Sequence, residues 1–219
     1  MKIRFLTVFL VLATAGNASI IVSSTPGLTT IEAGATTITF DAPIPGAASP
    51  FTYTSPSGIA ATYTWSGISP FVTGSVSGQY AAPPSDSTTY LAAGAGAGRP
   101  GTVNIAFSQA INYFGFYTGS PDSYNSIDFF GPNESFSGSD LGLMLNFPAN
   151  GDQAFGKFLN FNSTIGITQI QFTSTFAAFE TDNHAFGNAV PEPTTYALIG
   201  AGLAALGVLR SRRRRPGSR

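Results

Sequence analysis

The stretch T-V-N-I-A-F, Thr102–Phe107, places Val103, Ile105 and Phe107 on one face of an extended segment and Asn104 and Ala106 on the other. That two-residue period belongs to a β-strand with one wet face. Working outward, I-T-Q-I-Q-F-T-S (Ile167–Ser174) repeats the pattern, with Ile170 and Phe172 opposed to Gln169 and Gln171. Similar short runs are T-T-I-T-F (Thr36–Phe40), A-T-Y-T-W (Ala61–Trp65), N-Y-F-G-F-Y-T (Asn112–Thr118), S-I-D-F-F (Ser126–Phe130) and K-F-L-N-F (Lys157–Phe161), each bounded by turn residues. Seven such runs rich in Phe, Tyr, Ile and Thr predict an all-β fold, an antiparallel β-sandwich or jelly roll. No long amphipathic helix competes before Thr194.

The body of the chain is acidic although the whole carries a net charge of only −1. Lys2 and Arg4 open the chain and six arginines close it, leaving Arg99 and Lys157 against ten carboxylates between them. Such a body repels polyanions, which argues against nucleic acid as a partner. Cysteine is absent, so the domain must rest on its hydrophobic core alone.

Residues 1–18 combine a basic start (Lys2, Arg4), an apolar run from Phe5 to Leu12 and small residues at Ala13, Ala15, Gly16 and Ala18. This is a secretory signal peptide pattern, read by signal peptidase, with cleavage expected after Ala18 and after Ala15 as the competitor. Residues 19–189 then form the exported sandwich domain. At the other end, Thr194–Leu209 is uncharged and apolar, about 24 Å long as a helix. That is short for a hydrocarbon core of about 30 Å. Arg210, Arg212, Arg213, Arg214 and Arg215 follow it and hold that end on the cytoplasmic side of the inner membrane.

Directly before this segment stands V-P-E-P: Val190, Pro191, Glu192 and Pro193. The motif, the short apolar helix and the arginine cluster together, residues 190–219, resemble the PEP-CTERM sorting signal of Gram-negative bacteria. The resemblance implies an exosortase as partner, removal of the tail, and delivery to the cell surface or the extracellular polysaccharide matrix. Val190 to Pro193 are then recognition residues, and the catalytic residues belong to the exosortase. The stretch Tyr113–Gly131, with F-D-A-P at Phe40 and A-F-E-T-D-N-H-A-F at the end of the body, also resembles a group of exosortase-dependent surface proteins with a sandwich domain. That resemblance makes Asp122, Ser123, Tyr124 and Asn125 a signature turn.

Catalytic chemistry finds few carriers. His184 is the only histidine and is read as a polar loop residue after the last strand; no nucleophile elbow exists. One histidine without cysteine cannot make a zinc site. Gly94, Gly96 and Gly98 lie in a low-complexity stretch, 81–101, that leads into a strand and not a helix, so it reads as a surface loop and not a phosphate cradle. Calcium is the metal this composition allows. By resemblance to carbohydrate-binding jelly rolls, Asp41, Glu180 and Asp182 are its expected ligands, with Asp122 and Asp128 as a second set. Lys157, the body's only lysine, shares parity with Phe155, Leu159 and Phe161 and is expected at an edge or barrel-end position.

Two function classes emerge. The first is a non-catalytic surface or matrix protein that packs in, or contacts, envelope polysaccharide; the second is a carbohydrate-active hydrolase on a jelly-roll scaffold. Trp65, Tyr63, Tyr117 and Tyr124 are the aromatic side chains with which either could meet a sugar face. Coplanar exposed aromatics favour binding, and opposed carboxylates in a groove favour hydrolysis.

Overall fold

The computed structural model describes residues 19–41, 48–96, 100–119 and 121–188. The leader, the sorting motif Val190–Pro193, the apolar segment 194–209 and the arginine tail lie outside these residues. Among the described residues no helix is long and apolar enough to cross a membrane.

Two strands of eighteen residues, β7 (Gly101–Thr118) and β10 (Lys157–Ser174), form the spine. They pair antiparallel from Lys157 against Thr118 to Ser174 against Gly101, with register shifts between Asn162 and Gln169. Beside the first half of β7 lie β4 (Ala60–Trp65) and then β3 (Phe51–Thr54). Beside the matching half of β10 lie β8 (Asn125–Phe130) and β9 (Glu134–Ser137). The second half of β7 pairs with β11 (Phe179–Gly187), which carries β2 (Thr36–Ile38) and β6 (Thr89–Ala93) with β5 (Phe71–Thr73). The remaining flank of β10 takes β1 (Ile20–Thr25).

The spine is folded upon itself. Phe172 pairs with Val103 and Phe116 with Leu159, so along a straight strand Phe116 would lie about 43 Å from the Val103–Phe172 pair at about 3.3 Å per residue. The rings of Phe116 and Phe172 are in fact 5.2 Å apart. The β7–β10 ribbon therefore bends at its register shifts and brings its two halves face to face, as bulges allow. The bend also switches parity. Val103 and Ile105 face the core before it, and Phe114 and Phe116 after it.

The result is layered like a sandwich, yet all eleven strands among the described residues belong to one hydrogen-bonded sheet, because two strands run through both layers. The space between the halves holds Phe114, Phe116, Phe129, Phe161, Phe172, Phe179 and Phe186, all buried. The wet face predicted for Thr102–Phe107 is also present. Gln171 Nε2 donates to Asn104 Oδ1 at 2.7 Å across the β7–β10 pair.

Two expectations are corrected. His184 is not in a loop; it sits in mid-β11, fully buried, against the rings of Phe40, Phe114, Phe116 and Phe172. The stretch 81–101 is not all surface loop, since Tyr90–Ala93 form the buried part of β6, paired with β11. A short helix, α1 (Gly138–Leu145), is capped reciprocally by Ser137 and Asp140. Ser137 and Asp140 stand in the S-x-x-D spacing of a capping box, a signal present in the sequence.

Candidate functional site

β11 concentrates the polar groups of the interior, because every one of its residues is buried although five of the nine are polar or charged. A buried polar group is tolerated when it is hydrogen-bonded. His184 meets this condition on both nitrogens, with Tyr63 Oη 3.2 Å from Nδ1 and Thr181 Oγ1 2.8 Å from Nε2. Burial drives its pKa down to about 3, so the ring is neutral and structural. Tyr63 is wholly buried beside it and is no sugar contact.

Glu180 and Asp182 fare differently. Glu180 Oε1 accepts from the Ala81 N–H at 2.8 Å. Burial pushes its pKa up to about 7, against that hydrogen bond and with a small contribution from Asp122. Asp182 is 3% exposed. Its Oδ1 and the Oδ2 of Asp86 are both buried and both lack a hydrogen-bond donor. Burial foremost, opposed by the Asn183 N–H and reinforced by the charges of Asp86 and Asp41, raises Asp182 to about 8. Asp86 is held in place by its other oxygen, which accepts from Thr88 N at 2.8 Å and Thr88 Oγ1 at 2.7 Å. The two side chains thus form a carboxyl–carboxylate pair in which one proton, or a cation, must stand between them.

The expected calcium set is not assembled as one group. Asp182 belongs with Asp86 and the exposed Asp41, whereas Glu180 turns to a different feature, and among the described residues no three acidic or imidazole groups converge on a metal position. Asp128 alternates with the core residues Ile127 and Phe129 on β8, away from the interior. Asp86 had no sequence signal, because it sits in a low-complexity stretch that meets β11 only after folding.

Glu180 lines a cleft of about 360 Å3 with Tyr80, Asp122, Tyr124 and Gln153. The turn Asp122–Asn125 closes through Asn125 N to Asp122 O at 3.0 Å, as the resemblance implied. Tyr124 Oη donates to Asp122 Oδ2 at 2.6 Å, and its ring meets Phe176 edge-on at 5.8 Å. Gly151 packs so close to Asp122 that a Cβ there would lie 2.7 Å from Oδ2, and its φ of +69° also demands glycine. Gln153 Oε1 is buried without a hydrogen-bond donor. The wall from Ser75 to Ala81 is a tight loop held by Val76 N to Tyr80 O at 2.9 Å.

The other aromatic candidates are placed elsewhere. Trp65 borders a separate depression of about 170 Å3 with Ile68, Pro70 and Pro100. Tyr117 is buried, its hydroxyl donating to Pro84 O at 2.8 Å, so it is no sugar platform. Lys157 is half-buried at the start of β10, its Nζ 5.0 Å over the Phe155 ring.

Fold and site together define an acidic, cysteine-free, all-β domain with a tyrosine-lined surface cleft that carries Asp122, Gln153 and Glu180. Residues 189–215 match the family model of the PEP-CTERM protein-sorting motif, so this is an exported protein that carries an exosortase-targeting signal. No curated protein and no solved structure matches the chain.

Proposed function

We propose that the mature domain is a non-catalytic component of the cell surface or extracellular matrix that binds envelope polysaccharide through the cleft of Tyr80, Asp122, Tyr124, Gln153 and Glu180. Its leader is removed by signal peptidase, and its tail holds it in the inner membrane until the exosortase releases it to the outer surface of a Gram-negative cell. The observation that carries the binding reading is the cleft's chemistry: hydroxyl, amide and carboxyl groups beside tyrosine rings suit the hydroxyls and apolar faces of a sugar chain. Glycan-array or calorimetric binding by the exported protein tests it. Binding should be weakened about tenfold or more by Tyr124→Ala, and absence of binding to any extracted envelope polysaccharide refutes it.

One observation favours the second reading, a hydrolase. Glu180 holds its proton near neutrality in the same cleft as Asp122, the combination a general acid and its partner require. Release of reducing ends from a bound polysaccharide, lost in Glu180→Gln, would replace binding by hydrolysis as the function.

Calcium enters as a structural ligand of Asp86 and Asp182. Two buried carboxylate oxygens without a donor are hard ligands of the kind this ion takes, with carbonyls and water completing its six to eight oxygens. Calcium added to chelator-treated protein should then raise the melting temperature through selective binding to the folded state, and Asp182→Asn should abolish the rise.

A further inference from the structure

Ser19 sits immediately after the expected leader cleavage position and is only 8% exposed. Its backbone N–H donates to Glu134 Oε1 at 2.9 Å, and its hydroxyl donates to the same oxygen. Its carbonyl accepts from Thr164 N at 2.9 Å and from Ser163 Oγ at 3.1 Å. The next residue, Ile20, is buried in the core and paired with Ser163. Position 19 is thereby clamped between β10 on one side and the first residue of β9 on the other.

We infer that leader removal between Ala18 and Ser19 turns this contact into a partly buried ion pair between the new α-ammonium of Ser19 and the carboxylate of Glu134, strengthening the hold of β1 on the sheet in the processed protein. The inference rests on reading residues 1–18 as a removable leader. Chemically, water adds its hydroxyl to the Ala18 carbonyl carbon as the peptide bond breaks, and Ser19 keeps the nitrogen with the hydrogen of that water. The amine, with an ordinary pKa of about 7.7–8.0, then takes a further proton at neutral pH. A neutral amide donor thus becomes a charged one aimed at a carboxylate that is already in place, and charge-assisted hydrogen bonds are about twice as strong as neutral ones.

Among the described residues Glu134 is the charged group that touches Ser19; β10 presents hydroxyls, Ser163 and Thr164. The pair raises the folded pKa of the amine above its unfolded value. Its contribution is therefore complete below pH about 7.7 and is lost as pH rises through the raised folded value.

The test uses the full chain exported with its own leader. N-terminal sequencing should begin at Ser19; a start at Gly16 or an intact leader overturns the proposal and, with it, the cleavage reading. Given a Ser19 start, Glu134→Gln should lower the melting temperature by a few degrees at pH 7, and the difference should vanish near pH 10. An equal difference at both pH values would mean a plain hydrogen bond and overturn the ion pair. Should Glu134→Gln not fold, NMR titration of the wild-type α-amine decides: a pKa above 8 supports the pair, and an ordinary or lowered value refutes it.

Discussion

Replacing Asp182 by asparagine should make the domain's stability less dependent on pH. Asp182 titrates near 8 in the folded protein, against about 4 when unfolded. Between these values the native state keeps a proton that the unfolded state has released, so stability falls as pH rises through the window. One such group contributes about 1.4 kcal/mol per pH unit, and hence roughly 2 to 3 kcal/mol between pH 5 and pH 7. The amide introduced by Asp182→Asn has the shape of the carboxyl and carries toward Asp86 Oδ2 a donor that does not depend on pH. Urea unfolding of both proteins in chelator at pH 5, 6 and 7 gives the difference directly. Glu180, near 7 in the folded state, slopes in the same direction, and His184, near 3, in the opposite one. Both are shared by the two proteins and cancel in the comparison. The variant should gain on the wild type by about 1.4 kcal/mol for each unit of rising pH. A constant difference from pH 5 to 7 would mean that Asp182 is already ionised in the native state, and the carboxyl–carboxylate pair would have to be abandoned.

Phe172→Ala removes a fully buried ring that touches Phe114, Phe116, Phe179 and His184 and so bridges the two halves of the spine. A loss of about 3–5 kcal/mol in unfolding free energy is expected, and a loss under 1 kcal/mol would contradict the folded-ribbon core. Gly115→Ala would set a Cβ 2.5 Å from the Phe158 ring and 2.8 Å from the Leu159 carbonyl, so it should cost about 1–3 kcal/mol; a neutral result in calorimetry would argue against the β7–β10 register. Alanines at Pro191, Glu192 and Pro193 should leave the tail attached and the protein membrane-bound in an exosortase-containing host. Mass spectrometry showing normal maturation of that variant would make the tail an ordinary anchor.

Legibility followed the range of the forces involved. The alternation in Thr102–Phe107 and Ile167–Ser174 identified strands and their inner faces correctly, because side chains alternate along any strand whatever its partners. The sorting motif was equally readable, since an enzyme recognises it as a linear segment and no fold intervenes. The bend in the β7–β10 ribbon left no such trace. Its parity switch lies between Phe107 and Tyr113, where Ser108 and Gln109 could belong equally to a turn or to a continuous strand.

The site divides in the same way. Tyr124 and the turn from Asp122 were anticipated from a contiguous stretch, whereas Glu180 and Asp182 were singled out by resemblance as ligands of one calcium site and lie in two separate places. Sequence by itself determined the strand-rich, acidic, cysteine-free body and its exosortase-targeting address, all carried by local pattern and composition. Only the tertiary structure decided that His184 is a neutral core residue, that Asp86 opposes Asp182, and that Glu180 faces a cleft with Asp122. Those outcomes depend on desolvation and on like charges brought together from distant segments, and both come into being only when the β7–β10 ribbon folds over and excludes water from β11.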